Sequence, residues 1–144
     1  MTKRLVILAL AAITFALAPQ ALKAADGDAL CPRGNATLSG TYMLRGGGTI
    51  VGVGPVTVVG WVTYDGKGSI VKAFMTLSEN GTISTFPLSG PYTVNSDCSG
   101  SVEPSGGHYS FVVSPDGKNV DWIETDPGTV SSGTEVRLTR PEDD

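Results

Sequence analysis

The chain is poor in the residues that do most ligation and nucleophilic chemistry. It has two cysteines and one histidine in 144 residues. So few cysteines exclude a disulfide-dense mini-protein and any zinc-finger framework. Charge is also scarce, at 17% of residues against 40% hydrophobic, with a net charge of −4. A disordered chain would be poorer in apolar residues and richer in net charge. The acidic balance argues against nucleic acid as the main partner. Beyond Ala24 no apolar run is long enough to span a bilayer as a helix. Nor does any segment there keep a 3.6-residue apolar period over a helix-length window.

Catalytic signatures are missing as well. Gly46-Gly47-Gly48 lacks the following helix and the Lys-Ser/Thr of a phosphate-binding loop. Ser39, Ser110 and the other serines have no G-x-S-x-G setting. His108 follows Gly106-Gly107 at the start of a strand, where an exposed polar residue at a rim is the expectation over a general base or metal ligand. With both cysteines in a bridge, only carboxylates remain to complete a zinc site. Asp121 and Glu124 are an odd number of residues apart, so one strand points them to opposite faces. Asp126 before Pro127-Gly128 reads as turn chemistry. No calcium-loop spacing occurs. Nothing therefore calls for a metal or a cofactor. Asn35-Ala36-Thr37 and Asn80-Gly81-Thr82 match the glycosylation triplet. Both are taken as chance beside a leader of bacterial type.

What the chain does have begins with an address. Lys3 and Arg4 precede an apolar run from Leu5 to Ala18, then a polar break at Pro19-Gln20, then Leu22-Lys23-Ala24. This is the three-part pattern of a secretory signal peptide, with cleavage after Ala24. At about 14 residues the run is short of the ~20 that a membrane anchor needs. Removal of 1–24 takes away three basic residues and no acid, leaving seven against fourteen and a net charge of −7. The expectation is an exported protein, periplasmic or secreted, with no membrane span after cleavage. In that setting Cys31 and Cys98 pair most simply with each other. Neither has a neighbouring His or Lys that would make it a reactive thiol.

The rest reads as consecutive strands. Expected strands cover Ala36–Arg45, Thr49–Val53, Val56–Tyr64, Ser69–Leu77, Thr82–Leu88, Gly90–Val94, a brief Ser101–Glu103, His108–Val113, Val120–Thr125 and Thr129–Thr139. Gly54-Pro55 leaves the second and third as either one bent strand or two. Turn chemistry separates the strands: Asp65-Gly66-Lys67-Gly68, Glu79-Asn80-Gly81, Pro115-Asp116-Gly117-Lys118 and Asp126-Pro127-Gly128. In Ser69–Leu77, Ile70 and Phe74 share one parity, and Val71, Ala73, Met75 and Leu77 the other. Val136 and Leu138 share a face of the last strand.

Short connections imply antiparallel neighbours. The predicted fold is all-β, a small antiparallel up-and-down barrel of about eight strands, with a two-sheet sandwich as the alternative. The expected organisation is a leader (1–24), an extension pinned by the disulfide (25–35), the barrel (36–140) and an acidic tail (141–144).

Gly40-Thr41-Tyr42, Tyr64–Gly68, Gly90–Gly100 and Thr125–Gly133 resemble a family of small exported bacterial proteins with an allene-oxide-cyclase-like barrel, related to the lipocalin architecture. These are mainly turn motifs. The resemblance spans most of the chain beyond the leader and implies the barrel. No catalytic residue carries over to a position here.

Aromatic residues are the most suggestive group. Tyr42, Trp61, Tyr64, Phe74, Phe86, Tyr92, Tyr109, Phe111 and Trp122 either fill a barrel or line a cavity within it. The candidate ligand-binding residues are Trp61, Tyr64, Tyr92 and Trp122. Val56, Val58 and Val62 oppose Val59 and Trp61 on one strand, so parity does not say which side is inside. The leading expectation is non-catalytic binding of a small apolar ligand or an envelope partner. The alternatives are a cyclase or isomerase with an apolar cavity, and a structural or adhesive barrel with a filled core.

Overall fold

The computed structural model describes residues 29–138. The expected leader and the acidic tail lie outside the described residues. A short 3-10 helix, Gly34–Thr37, precedes nine strands: β1 (Ser39–Ile50), β2 (Gly54–Asp65), β3 (Ser69–Glu79), β4 (Thr82–Phe86), β5 (Gly90–Val94), β6 (Ser99–Val102), β7 (Tyr109–Val113), β8 (Asn119–Glu124) and β9 (Thr129–Arg137). All pairings are antiparallel. The sheet closes because β9 pairs with β1, which gives an eight-stranded barrel of β1, β2, β3 and β5–β9. β4 pairs with β3 alone and is an outer strand. Among the described residues no helix is long and apolar enough to cross a membrane.

Up-and-down connectivity gives the barrel two distinct ends. One carries the 3-10 helix and the turns after β2, β5 and β7. Here Leu38, Tyr42, Tyr92, Val94, Val113 and Val120 are buried around the helix and form a floor. The Tyr92 hydroxyl donates to the carbonyls of Leu38 and Asn35 at 2.8 and 3.0 Å. Tyr42 donates to the Gly117 carbonyl. Asn35 Oδ1 accepts the Val94 N–H at 2.8 Å. The Cys31–Cys98 disulfide ties the segment before the helix to the β5–β6 turn. These links tie the helix and its flanking residues to the barrel strands and to the turns at this end, which fixes the floor in place.

Three expectations change. Ala36 and Thr37 belong to the 3-10 helix, and the first strand runs on through Gly46-Gly47-Gly48 to Ile50. The reason is close approach. A Cβ at Gly46 would lie 2.4 Å from the Trp122 ring, and one at Gly48 would lie 1.9 Å from the Val130 carbonyl oxygen. Glycine here admits neighbours, where the sequence suggested a break. In β3, the register slips at Thr63/Tyr64, so that Thr63 faces Lys72 and Tyr64 faces Ile70. Val71 is the extra residue of a bulge, which puts Ile70, Ala73 and Met75 all inside. Val136 on β9 and Leu138 just beyond it share one face, as expected; at 43% and 50% exposed they make it the outer one, and the inner face carries Ser131, Gly133 and Glu135.

The outer wall is also partly apolar. Val136, Met43, Trp61 and Phe74 are successive cross-strand neighbours over β9, β1, β2 and β3. Lys72 Nζ lies 5.5 Å from the centre of the Trp61 ring.

Candidate functional site: a cavity inside the barrel

Above the floor the barrel is hollow. The cavity measures about 510 Å³, within the ~300–1,000 Å³ range of small-molecule sites. Its walls come from the inward parity of β1, β2 and β3, chiefly Leu44, Val56, Val58, Val62, Ile70 and Met75. The mouth lies at the end away from the disulfide, between Ile50, Glu79, Phe86–Leu88 and Pro104–Gly106. It stays open there because β3 changes partner. Near the floor β3 pairs with β5 at Ser69 and Ile70, and towards the mouth it pairs with β4.

Two polar groups on β9 point into this apolar space. Glu135 is 4% exposed and sits near the floor, opposite Leu44 on β1 and Val120 on β8. Its carboxyl accepts the Tyr64 hydroxyl at 3.0 and 3.1 Å. Burial disfavours its charged form and raises its pKa to about 7, against the smaller opposing effect of the Tyr64 hydrogen bond. Burial likewise pushes the Tyr64 hydroxyl well above its usual range, and the neighbouring Glu135 charge adds to this. Tyr64 is held edge-on between Tyr42 and Tyr92, with ring centres at 5.4 and 5.0 Å. Nearer the mouth, the Ser131 hydroxyl donates to Glu124 at 2.5 Å.

Trp122 forms much of the wall beside them. Its ring lies against Gly46 and Gly133, where a Cβ at either would come within 2.4 Å of it. Tyr109 packs edge-on against it at 5.5 Å. The Tyr109 hydroxyl is raised to about 12, by burial first and then by the Glu124 charge. Trp122 Nε1 is buried and has no hydrogen-bond partner among the described residues, which is uncommon for a buried indole.

The four candidate residues therefore separate. Tyr64 and Trp122 line the cavity. Tyr92 is buried in the floor, with its hydroxyl committed to the 3-10 helix. Trp61 is on the outer wall, stacked under Lys72. Sequence reasoning missed Glu135 and Ser131, because a polar parity on a strand reads as solvent-facing. It also missed that Glu124, correctly set on the face opposite Asp121, is the inward one.

His108 lies at the rim, with Nδ1 2.6 Å from Asp126 Oδ1. Its backbone N–H donates to Asp126 Oδ2 at 2.8 Å. The hydrogen bond to Asp126, then its charge, raises the His108 pKa. His108 is exposed and Asp126 partly so, and neither lines the cavity. Among the described residues no group of three His, Cys, Asp or Glu side chains is placed to hold a metal ion.

Comparison with family models, with curated proteins and with solved structures gives no match at any of the three levels. The likeness to the allene-oxide-cyclase-like family rests on the sequence motifs alone.

Proposed function

We propose that this is an exported barrel that binds one small, mainly apolar molecule inside the cavity. The observation that carries the reading is a hollow of about 510 Å³ with a built floor, apolar walls and one mouth. Tight packing is the rule for protein interiors, so a hollow of this size favours binding over a filled structural barrel. Export is supported by the leader pattern in 1–24 and by the Cys31–Cys98 bridge, which suits an oxidising compartment.

A second reading is favoured by Glu135 and Tyr64. A carboxyl group that titrates near neutrality at the base of an apolar cavity is suited to general acid–base work. On that reading the barrel is a cyclase- or isomerase-type enzyme, as some allene-oxide-cyclase-like barrels are.

Native mass spectrometry of the protein, purified without detergent from its own envelope extract, tests the binding reading. The expected result is a bound mass that is lost on denaturation. Only the bare chain mass, with the two-hydrogen loss of one disulfide, would count against a resident ligand.

A further inference from the structure

The polar content of the cavity is one-sided. Glu79, Glu124 and Glu135 line it, and among the described residues no Lys, Arg or His does. None of the three is in an ion pair among the described residues. Glu135 is the extreme case. It is nearly without solvent, its hydrogen-bond partner is the neutral Tyr64 hydroxyl, and its strand neighbours are Leu44 and Val120. Buried carboxyl groups in folded proteins are normally paired with a cation or a metal. Here the described residues supply neither. A second feature is independent of the acids. The indole N–H of Trp122, a residue nine-tenths buried in the cavity wall, donates to nothing among the described residues. The site therefore offers acids at its base and near its mouth, an unused donor in its wall, and the aromatic side chains of Tyr64, Tyr109 and Trp122 in its lining.

Resting on the binding reading above, we infer that the ligand is a lipophilic amine: an ammonium group seated on Glu135, an apolar body along β1–β3, and an oxygen acceptor opposite Trp122. An ammonium ion supplies the charge partner that the fold withholds. A charge-assisted hydrogen bond in a site of low dielectric is stronger than one to a neutral alcohol. The aromatic residues in the lining suit a cation further. A ligand carboxylate would be forced among three acids with no base to receive it. The apolar body is needed because most of the lining is aliphatic. The oxygen acceptor relieves the buried indole donor.

The test is calorimetric titration of the purified protein at about pH 8 with three ligands on one frame. They are 6-methoxynaphthalene carrying an ethylamine, an ethanol or an acetic acid side chain. The frame brings the ether oxygen, and only the head group changes. The amine is expected to bind at least about tenfold more tightly than the alcohol, a gap of about 1.4 kcal/mol. The acid is expected to bind most weakly. Glu135→Gln keeps the shape and the acceptor for Tyr64, and should bring the amine-to-alcohol ratio close to one while alcohol binding survives. Equal or tighter binding of the alcohol by the unmodified protein overturns the amine assignment. So does an amine preference that persists in E135Q. The ranking on the unmodified protein decides the matter even for a variant that folds poorly. If none of the three binds, the cavity-binding reading itself fails, and the amine assignment with it.

Discussion

Raising the pH from about 4 to about 8 should remove a stabilising contribution that is specific to Glu135. Its carboxyl titrates at about 7 in the folded protein against an ordinary value of 4.5. A raised carboxyl pKa means that the folded chain holds its proton more tightly than the unfolded chain does. The associated stability is present in full below the unfolded value and is lost as the pH rises through about 7. The difference between the two values corresponds to about 3 kcal/mol, a large share of the ~5–15 kcal/mol that a domain has. Exposed carboxylates act in the opposite direction. Asp65, Asp97, Asp116 and Asp126 are all held below their usual range by local hydrogen bonds. The bare pH profile therefore mixes both effects. Comparison with Glu135→Gln isolates the buried one, because only the wild type has a group there that titrates. Urea denaturation with the disulfide intact, followed by tryptophan fluorescence, gives both stabilities at each pH. The two proteins should be nearly equal at pH 4, and the variant should be more stable by about 3 kcal/mol at pH 8. A gap that stays flat across this range, or one that favours the wild type at high pH, would refute the burial argument.

Replacing Cys31 and Cys98 together by serine opens a loop with a sequence separation of 67; the chain-entropy model puts the loss at about 4 kcal/mol, readable by the same urea titration. Gly46→Ala brings a Cβ against the Trp122 ring and the Ser132 carbonyl. It should cost about 1–3 kcal/mol and change the near-ultraviolet circular dichroism of the indole; unchanged spectra would count against the cradle. Asp126→Asn should lower the His108 pKa, since that carboxylate is the main cause of its elevation, and proton NMR of the imidazole gives the titration directly. Trp61→Ala removes only outer-wall contacts, so ligand affinity should stay within about twofold, less than ~0.5 kcal/mol, whereas Trp122→Ala should change it.

Much of the architecture was legible because barrel physics writes itself into local chemistry. Asp65 was readable as a turn residue, and its Oδ1 accepts the N–H groups of Lys67, Gly68 and Ser69 at 2.7, 3.0 and 2.9 Å. Asn80-Gly81 turns β3 into β4 with positive φ at both residues. The cysteine pair followed from the even count and the leader-like pattern of 1–24. The site was harder to see. Alternation gives a period without saying which side is hollow, and β2 carries apolar residues on both faces. Trp61 and Trp122 look alike in sequence and end up on opposite sides of the wall. Val71 shifted the inward parity of β3 by adding one residue, which no local signal marks. Glu135 was hidden by a sound rule applied where it does not hold. Alternating polar residues usually face water, but β9 turns Ser131, Gly133 and Glu135 towards the cavity.

The central claim is that the barrel interior accepts a ligand, and a neutral fluorescent probe tests it most directly. Titration with N-phenyl-1-naphthylamine, which stays uncharged at neutral pH, should give a saturable, blue-shifted enhancement at one probe per chain. Val58 lines the cavity, and its neighbour Val59 is exposed on the outer wall. Val58→Trp should abolish the enhancement by filling the space, and Val59→Trp should preserve it. No saturable signal from the wild type, or an equal signal from both variants, would contradict the account.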